Sequence, residues 1–249
     1  MTLSPAIWVA LGLSGPCLGS FAATAALRRA DGGQAIVGRS RCDSCGVGLR
    51  YADTVPVISY LRLRGACGAC GARIDARHVA GEIAGGVIVL SAFAVAASPT
   101  RAVLLSALGL TLLASAVHDL KTKRLPDAFT LALAVLGAGL AVLRSAQDLW
   151  EGMIAGAVAF VGLEVLRRAF IRFRGKPGLG FGDVKLLAAL ALWLGLLTPW
   201  AMAAASLGGL IAALIRPQAD GRLAFGPWIA AAAWCVGLSR EGGLWPSPV

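Results

Sequence analysis

The sequence predicts an all-α polytopic membrane protein with about eight transmembrane helices and one small cytoplasmic insert. Of its 249 residues, 57% are hydrophobic and only 14% are charged, whereas about a quarter of the residues in soluble domains carry a charge. Uncharged windows long enough to cross a hydrocarbon core of about 30 Å recur along the chain. A single sizeable polar segment interrupts them, between the first and second windows.

The apolar windows define the expected helices. They are residues 3–27, 83–100, 102–117, 128–143, a weaker window at 149–166, then 186–215 and 223–239. The first window lacks the charged start of a secretory signal and is longer than a signal's apolar region, so we expect a retained helix. The run 186–215 is too long for one span, and Pro199 at its middle disfavours helix at Thr198, so we expect two helices there and eight in total.

The distribution of charge predicts the orientation. All of the 23 Lys and Arg residues except Arg101, Arg144 and Arg240 lie in four segments that fall on one side of the predicted helices, namely 28–77, 121–124, 167–185 and 216–222. Basic loops mark the cytoplasmic side. We therefore expect a periplasmic N-terminus, and we interpret the net charge of +10 as a sign of topology rather than of a nucleic-acid partner.

These windows divide the chain into a first transmembrane helix (1–27), a cytoplasmic insert (28–78) and a membrane domain (79–249). The insert contains two Cys-x-x-Cys-Gly units, formed by Cys42 with Cys45 and by Cys67 with Cys70. Four thiolates at this spacing, just beyond the usual range, predict a zinc-ribbon-like structural zinc site, which would stabilise a segment too small for a large core. A redox-active set of cysteines is the alternative.

Two aspartates at helix ends are the candidate catalytic residues. Asp119 ends the third window and Asp183 opens the sixth span, and the topology places both at the cytoplasmic membrane face. Two carboxylates that share a site cannot both ionise at neutral pH, so one can act as a general base on water while the other keeps a proton. Gly180 and Gly182 precede Asp183, and we expect them to adopt backbone geometry closed to other residues and to let a substrate strand lie close to the acid.

The remaining polar residues of the predicted membrane face are expected to play structural roles. Asp127 follows Pro126 and is expected to cap the fourth helix. His118 neighbours Asp119, but adjacent helical residues point apart, so we expect no catalytic role for it. The chain has no Walker-type phosphate loop and no paired-histidine metal motif, which argues against nucleotide-driven transport and zinc hydrolase chemistry.

Several segments together resemble the type IV prepilin leader peptidases, which are Gly-x-Gly-Asp membrane aspartic proteases. The run from Ser40 to Tyr60 and the second cysteine unit resemble that family's insert, and Glu82 matches an acid that begins its second span. Asp119 with Leu125-Pro126-Asp127 is similar to the first protease motif. Gly178-Leu-Gly-Phe-Gly-Asp-Val-Lys-Leu-Leu, which contains Asp183 and Lys185, is similar to the second.

The resemblance implies an enzyme of the bacterial inner membrane. It would cleave the short basic leader of type IV prepilins or type II secretion pseudopilins after a glycine, at the cytoplasmic face, by an aspartyl dyad of Asp119 and Asp183. Gly180, Gly182, Asp127 and Lys185 would shape the site. Prepilins or pseudopilins and the lipid bilayer are the implied partners, and the sequence does not indicate an oligomeric state.

Many members of the family also methylate the new N-terminus with S-adenosylmethionine. Here Gly19-Ser20-Phe21 continues without the family's Asn and Tyr, which are replaced by Ala23 and Leu27. We therefore expect methyl transfer to be weak or absent. A catalytically silent membrane assembly or binding protein is the main alternative function, and a small-solute transporter is a further one, although no inverted repeat is visible.

Overall fold

The computed structural model describes residues 3–33, 39–175, 178–215 and 223–245. In this part of the chain the regular structure is helical, and the β-type pairing consists of two isolated antiparallel bridges, Arg41 with Gly48 and Ala66 with Arg73. The predicted all-α class is confirmed. The predicted basic loop 216–222 and Lys176 lie outside the described residues.

The helices follow the predicted windows closely. They are α1 (Pro5–Ala30), α2 (Ile58–Arg62), α3 (Ala76–Val95), α4 (Pro99–Thr122), α5 (Asp127–Val142), α6 (Ala146–Arg174), α7 (Phe181–Leu194), α8 (Thr198–Ile215) and α9 (Gly226–Glu241). Short 3₁₀ turns lie at Tyr51–Asp53 and Gly195–Leu197. The run 186–215 does divide, but the break precedes Pro199, because proline fits the first turn of α8.

Five helical segments of the described chain are long and apolar enough to cross a membrane, namely Pro5–Ala30, Ala76–Val95, Pro99–Thr122, Ala146–Arg174 and Phe181–Ile215. The last of these contains both α7 and α8. Helices α5 and α9 have 16 residues each, fewer than the roughly 20 needed to span a bilayer upright. The count of eight spans therefore stays a prediction.

Helix α6 is longer than predicted. Its apolar window ends near residue 166, yet the helix continues to Arg174. Glu164 forms ion pairs with Arg167 at 2.7 Å and Arg168 at 2.6 Å, one turn further along the same helix. Pairs at this spacing stabilise helix, so the last basic turns remain helical instead of forming the predicted loop.

The chain folds as two compact units, an N-terminal unit (Thr2–Ser91) and a C-terminal unit (Ala92–Val249). The predicted domain division at residues 27 and 78 stays a prediction. In the N-terminal unit, α1 and α3 approach backbone to backbone, since a Cβ atom built on Gly19 would lie 2.6 Å from Cα of Gly85. Small residues allow such close helix contacts in membranes.

Helix α7 is the centre of the C-terminal unit and packs against α5, α6, α8 and α9. Most of its apolar residues after Phe181 are buried, as expected for a helix that is hydrophobic around its whole circumference. Trp193 is completely buried and fills a notch at Gly237 of α9, where a Cβ atom would overlap the indole ring. This packing fixes the position of α7, which carries Asp183 at its beginning.

The two ends of the C-terminal unit contain different sets of charged residues. One end holds the end of α4 and the beginnings of α5, α7 and α9, and it contains both candidate aspartates. At the opposite end, Glu241 forms ion pairs with Arg101 and Arg144, and Asp148 pairs with Arg240 at 3.1 Å. The three arginines that depart from the predicted charge asymmetry therefore all have acidic partners.

Candidate active site and metal centre

Asp119 lies in the last turns of α4 and is only 4% exposed. Its Oδ2 atom accepts a hydrogen bond of 2.9 Å from the backbone amide of Gly226, the first residue of α9. A buried carboxylate needs such a partner, because burial without hydrogen bonds costs several kcal/mol. No sequence pattern points to this contact of Gly226, although Gly226-Pro227 is a typical helix start.

Asp183 is the third residue of α7, and Gly180 is its N-cap. The Asp183 amide donates a hydrogen bond of 3.1 Å to the Gly180 carbonyl oxygen, which begins the first turn of α7. A Cβ atom on Gly180 would lie 2.8 Å from Oδ2 of Asp183, and one on Gly182 would lie 3.1 Å from Cβ of Leu125. A side chain at either position would therefore crowd a neighbouring side chain.

The expectation that these glycines adopt backbone geometry closed to other residues was wrong, whereas the close approach of a substrate strand stays a prediction. Gly180 has φ −69° and ψ 143°, an extended conformation that other residues adopt readily. Gly182 lies within the first turn of α7. The Gly-x-Gly-Asp segment therefore brings the backbone close to Asp183 and Leu125 and does not depend on a left-handed conformation.

The structure brings Asp119 and Asp183 together. They come from the end of α4 and the beginning of α7, and their carboxylates lie within electrostatic reach of each other. When two carboxylates occupy one site, one can hold a proton while the other is ionised. This arrangement can supply a general base and a general acid to one bound water.

Asp127 does not cap α5 as predicted. The N-cap is Pro126, with φ −62° and ψ 140°, and no side chain makes a capping hydrogen bond there. The helix begins at Asp127, one residue earlier than a cap at Asp127 would allow, because the proline itself adopts the extended conformation of a cap position. The Asp127 carboxylate instead pairs with Lys185 Nζ, which links the beginnings of α5 and α7.

His118 shapes the turn that follows α4. Its Nδ1 atom lies 2.9 Å from the carbonyl oxygen of Arg124 and 3.0 Å from Oγ1 of Thr122. Lys123, which lies between Thr122 and Arg124, has a left-handed conformation with φ 53° and ends the helix. The histidine holds the turn between Asp119 and Asp127, and the expected lack of a catalytic role stays a prediction.

The four cysteines of the insert form one cluster. Their sulfur atoms all lie within 4.8 Å of one another, and Cys42 and Cys70 are 3.9 Å apart. Tetrahedral zinc with Zn–S bonds of about 2.3 Å needs sulfur atoms about 3.8 Å apart, so the positions of the four sulfur atoms are compatible with one zinc ion. Backbone amides of Cys45 and Ser44 lower the pKa of the Cys42 thiol to about 6, which favours the thiolate that metals bind. The cluster could bind a metal ion such as zinc.

The two cysteine units have the same backbone geometry. The amide of Gly46 bonds to the carbonyl of Cys42 at 2.9 Å, and that of Gly71 bonds to Cys67 at 2.8 Å. Gly46 and Gly71 have φ values of 69° and 71°, where an L side chain would be strained. These glycines turn the chain back after each cysteine pair.

Glu82 connects the insert to both helices of the N-terminal unit. Its carboxylate accepts hydrogen bonds from Ser20 Oγ at 3.0 Å and from the Val57 amide at 2.7 Å. Val57 has φ 62° and ψ −49°, a strained turn for a β-branched residue. The acid that begins the second predicted span thus holds a strained turn of the insert in place.

The geometry agrees with comparisons to known proteins. Residues 13–96 match the family described as Bacterial Peptidase A24 N-terminal domain, and residues 106–215 match the Type IV leader peptidase family. A protein of Dichelobacter nodosus named "Prepilin leader peptidase/N-methyltransferase" is 34% identical over 206 residues, which cover 82% of this chain and 72% of that protein. This chain belongs to the type IV leader peptidase family.

Other relatives of this leader peptidase family agree. A Burkholderia pseudomallei (strain 1026b) protein of the same name is 37% identical over 208 residues, 78% of this chain and 65% of its own length. The chain thus spans somewhat less than two thirds of that relative. The "Type 4 prepilin-like proteins leader peptide-processing enzyme" of Escherichia coli O78:H11 is 35% identical over 196 residues, 76% of this chain and 71% of that protein. No solved structure matches.

Proposed function

We propose that this leader peptidase family member is an aspartic endopeptidase that removes the short basic leader from type IV prepilins or type II secretion pseudopilins. The observation that carries the proposal is the meeting of Asp119 and Asp183 at one end of the C-terminal unit. The names of the relatives, which refer to prepilin leader peptides, support the substrate class.

In the proposed reaction, the ionised carboxylate of the pair removes a proton from a bound water, and the water oxygen attacks the scissile carbonyl carbon. The protonated partner donates a hydrogen bond to the carbonyl oxygen as negative charge develops there. A proton then passes to the leaving nitrogen and the C–N bond breaks. One water is consumed, and the products are the leader acid and the free amine of the mature pilin.

Asp127 and Lys185 take part in this proposal as site-shaping residues. Their ion pair joins the turn after Asp119 to the first turns of α7, which begins with the Gly180-Phe181-Gly182-Asp183 segment. Asp127 is 81% exposed, whereas Lys185 is 26% exposed and lies over the Phe181 ring at 5.1 Å. Gly180 and Gly182 bring the backbone close to Asp183 and Leu125, and this backbone forms part of the proposed site.

The proposed location is the bacterial inner membrane, with the aspartates at the cytoplasmic face and the N-terminus in the periplasm. The basic residues near the aspartate end of the C-terminal unit support this orientation, since cytoplasmic loops are enriched in Lys and Arg. Lys121, Lys123 and Arg124 follow Asp119 directly, while the arginines of the opposite end are paired with Asp148 and Glu241.

The proposed metal is one structural zinc ion, held by Cys42, Cys45, Cys67 and Cys70. A set of four thiolates closes the coordination sphere, so the ion would supply folding free energy to the insert and no open position for substrate.

We expect little methyl transfer from S-adenosylmethionine. Ala23 is completely buried in α1, and a Cβ atom on Gly81 of α3 would lie 2.6 Å from the Ala23 methyl. The position of the family's asparagine is therefore occupied by close helix packing, with no room for a polar side chain.

The test is incubation of purified protein with a type IV prepilin, followed by mass measurement of the product. We expect loss of the leader, no added methyl group, and no cleavage of a prepilin whose glycine before the cleavage site is replaced by valine. Binding of prepilin without any cleavage would refute the proposal and support the silent assembly protein instead. Efficient methylation of the product would refute only the expectation about methyl transfer.

A further inference from the structure

Gly226 contacts one of the two candidate catalytic acids and is absent from both predicted protease motifs. Its amide donates to Oδ2 of Asp119 at 2.9 Å, in a buried location. The three heavy atoms nearest to a Cβ atom built on Gly226 would all belong to Asp119. They are Oδ2 at 2.8 Å and Cβ and Cγ, each at 3.1 Å. The glycine and the carboxylate therefore fit each other with no space between them.

The backbone of α9 does not explain the glycine. Gly226 is not among the described residues with positive φ, and Pro227 at the next position already suits a helix start. A side chain is tolerated at the corresponding first position of α5, where Asp127 stands. Lack of space next to Asp119 is the remaining structural reason for glycine at this position.

The second acid also lies against a glycine. A Cβ atom on Gly180, at the beginning of α7, would lie 2.8 Å from Oδ2 of Asp183. Each acid thus lies next to a glycine at a helix N-terminus, where amide dipoles favour a negative charge. One of these glycines belongs to the Gly-x-Gly-Asp segment, and the other comes from the distant beginning of α9.

We propose that Gly226 is a positioning residue for Asp119 in the proposed peptidase reaction. Its amide fixes Oδ2, sets the rotation of the carboxylate, and assigns Oδ1 to the water that is shared with Asp183. The absence of a side chain at Gly226 is required because any Cβ atom would displace the carboxylate. This inference rests on the proposed function, and its contact can be tested separately.

The kinetic test compares Gly226→Ala with two control glycines. Gly162→Ala places a methyl group where no atom lies within 4 Å, and Gly237→Ala forces a methyl group into the Trp193 ring. With rates normalised to folded protein, Gly226→Ala should lower kcat for prepilin cleavage about 100-fold with KM within about twofold, as expected for displacement of a catalytic group. Gly162→Ala should change neither constant, and Gly237→Ala should lower the melting temperature without this loss of kcat.

The contact test needs no activity. Gly226→Ala should lower the melting temperature in wild-type protein and in Asp119→Asn, because asparagine keeps the clashing atoms. In Asp119→Ala the Oδ2 and Cγ atoms are missing and only Cβ, at 3.1 Å, remains, so the same change should lower the melting temperature by less than half as much. An equal decrease in all three backgrounds, or an unchanged kcat in Gly226→Ala, would overturn the inference. If wild-type protein cleaves no prepilin, the proposed function fails and the role in catalysis fails with it, whereas the melting temperatures still decide the contact.

Discussion

Neutralising Glu241 should destabilise the C-terminal unit strongly. The Glu241 side chain is 1% exposed and pairs with Arg101 and with Arg144 at 3.0 Å. It also accepts a hydrogen bond of 3.1 Å from Trp193 Nε1. Glu241→Gln keeps the shape of the side chain but removes its charge, so two buried arginines lose a carboxylate.

The size of the effect follows from this burial. Removing one member of a buried ion pair costs about 3–5 kcal/mol, because the remaining charge is left without compensation. Arg144 keeps a second partner, Asp148 at 3.3 Å, whereas the described partner of the Arg101 side chain is Glu241. For a unit of this size each kcal/mol shifts the melting temperature by about 2–4 °C, so Glu241→Gln should melt about 6–20 °C lower.

The assay is thermal unfolding of the detergent-solubilised protein, monitored by tryptophan fluorescence. Glu151→Gln is the matched control, since Glu151 is a partly exposed acid on α6 that accepts a hydrogen bond from Gln147 at 3.0 Å. It should shift the melting temperature by no more than a few degrees, as expected for exposed charges. Equal melting temperatures for Glu241→Gln and wild type would show that the ion pairs do not stabilise the bundle.

Three further predictions concern the insert and the site walls. Freshly purified, reduced protein should contain about one zinc ion per chain, measured by elemental analysis, and Cys67→Ser should lose it; less than half an equivalent in wild type contradicts the metal site. Asp127→Asn should retain substantial cleavage activity, because an ion pair with a largely exposed partner contributes about 0–1 kcal/mol; an inactive variant contradicts this. Val57→Gly should have a higher melting temperature than wild type, because it relieves a positive φ in a β-branched residue. Glu82→Gln should have a lower one, because it weakens the hydrogen bond from the Val57 amide. Shifts of the opposite sign in the two variants would exclude strain at this turn.

The sequence predicts most of the helices because their signals are local. The apolar windows overlap all of the long helices, although α3 begins at residue 76 rather than 83, and the break between α7 and α8 follows from length and Pro199. The extension of α6 to Arg174 was not predicted, because charged residues were taken to end the helix. Ion pairs from Glu164 to Arg167 and Arg168 stabilise those turns instead.

The candidate site was predicted in part. The topology placed Asp119 and Asp183 at one membrane face, and the structure brings them within electrostatic reach. The proximity of Gly226 to Asp119 could not be predicted, because it depends on how α9 packs against α4, which no local pattern encodes. The predicted role of Asp127 as a helix cap was wrong. An aspartate next to a proline at a helix start can either cap the helix or pair with a distant lysine, and the sequence does not distinguish the two.

The distribution of charge along the sequence does not predict which charged residues pair with each other. Arg101, Arg144 and Arg240 were expected on the periplasmic side as exceptions to the cytoplasmic enrichment. The structure groups them at one end of the C-terminal unit with Asp148 and Glu241, which come from α6 and α9. Such clusters depend on tertiary packing, so the sequence indicated the side of each residue and not its partners.

Cleavage of a purified prepilin by single-site variants tests the central claim most directly. Asp119→Asn and Asp183→Asn should each abolish leader removal, measured by product mass, while both proteins still fold and melt cooperatively. Neither amide can accept a proton from water and return it to the leaving amine. If Asp119→Asn cleaves normally while Asp127→Asn is inactive, the pair is misassigned, and Asp127 should be paired with Asp183 instead.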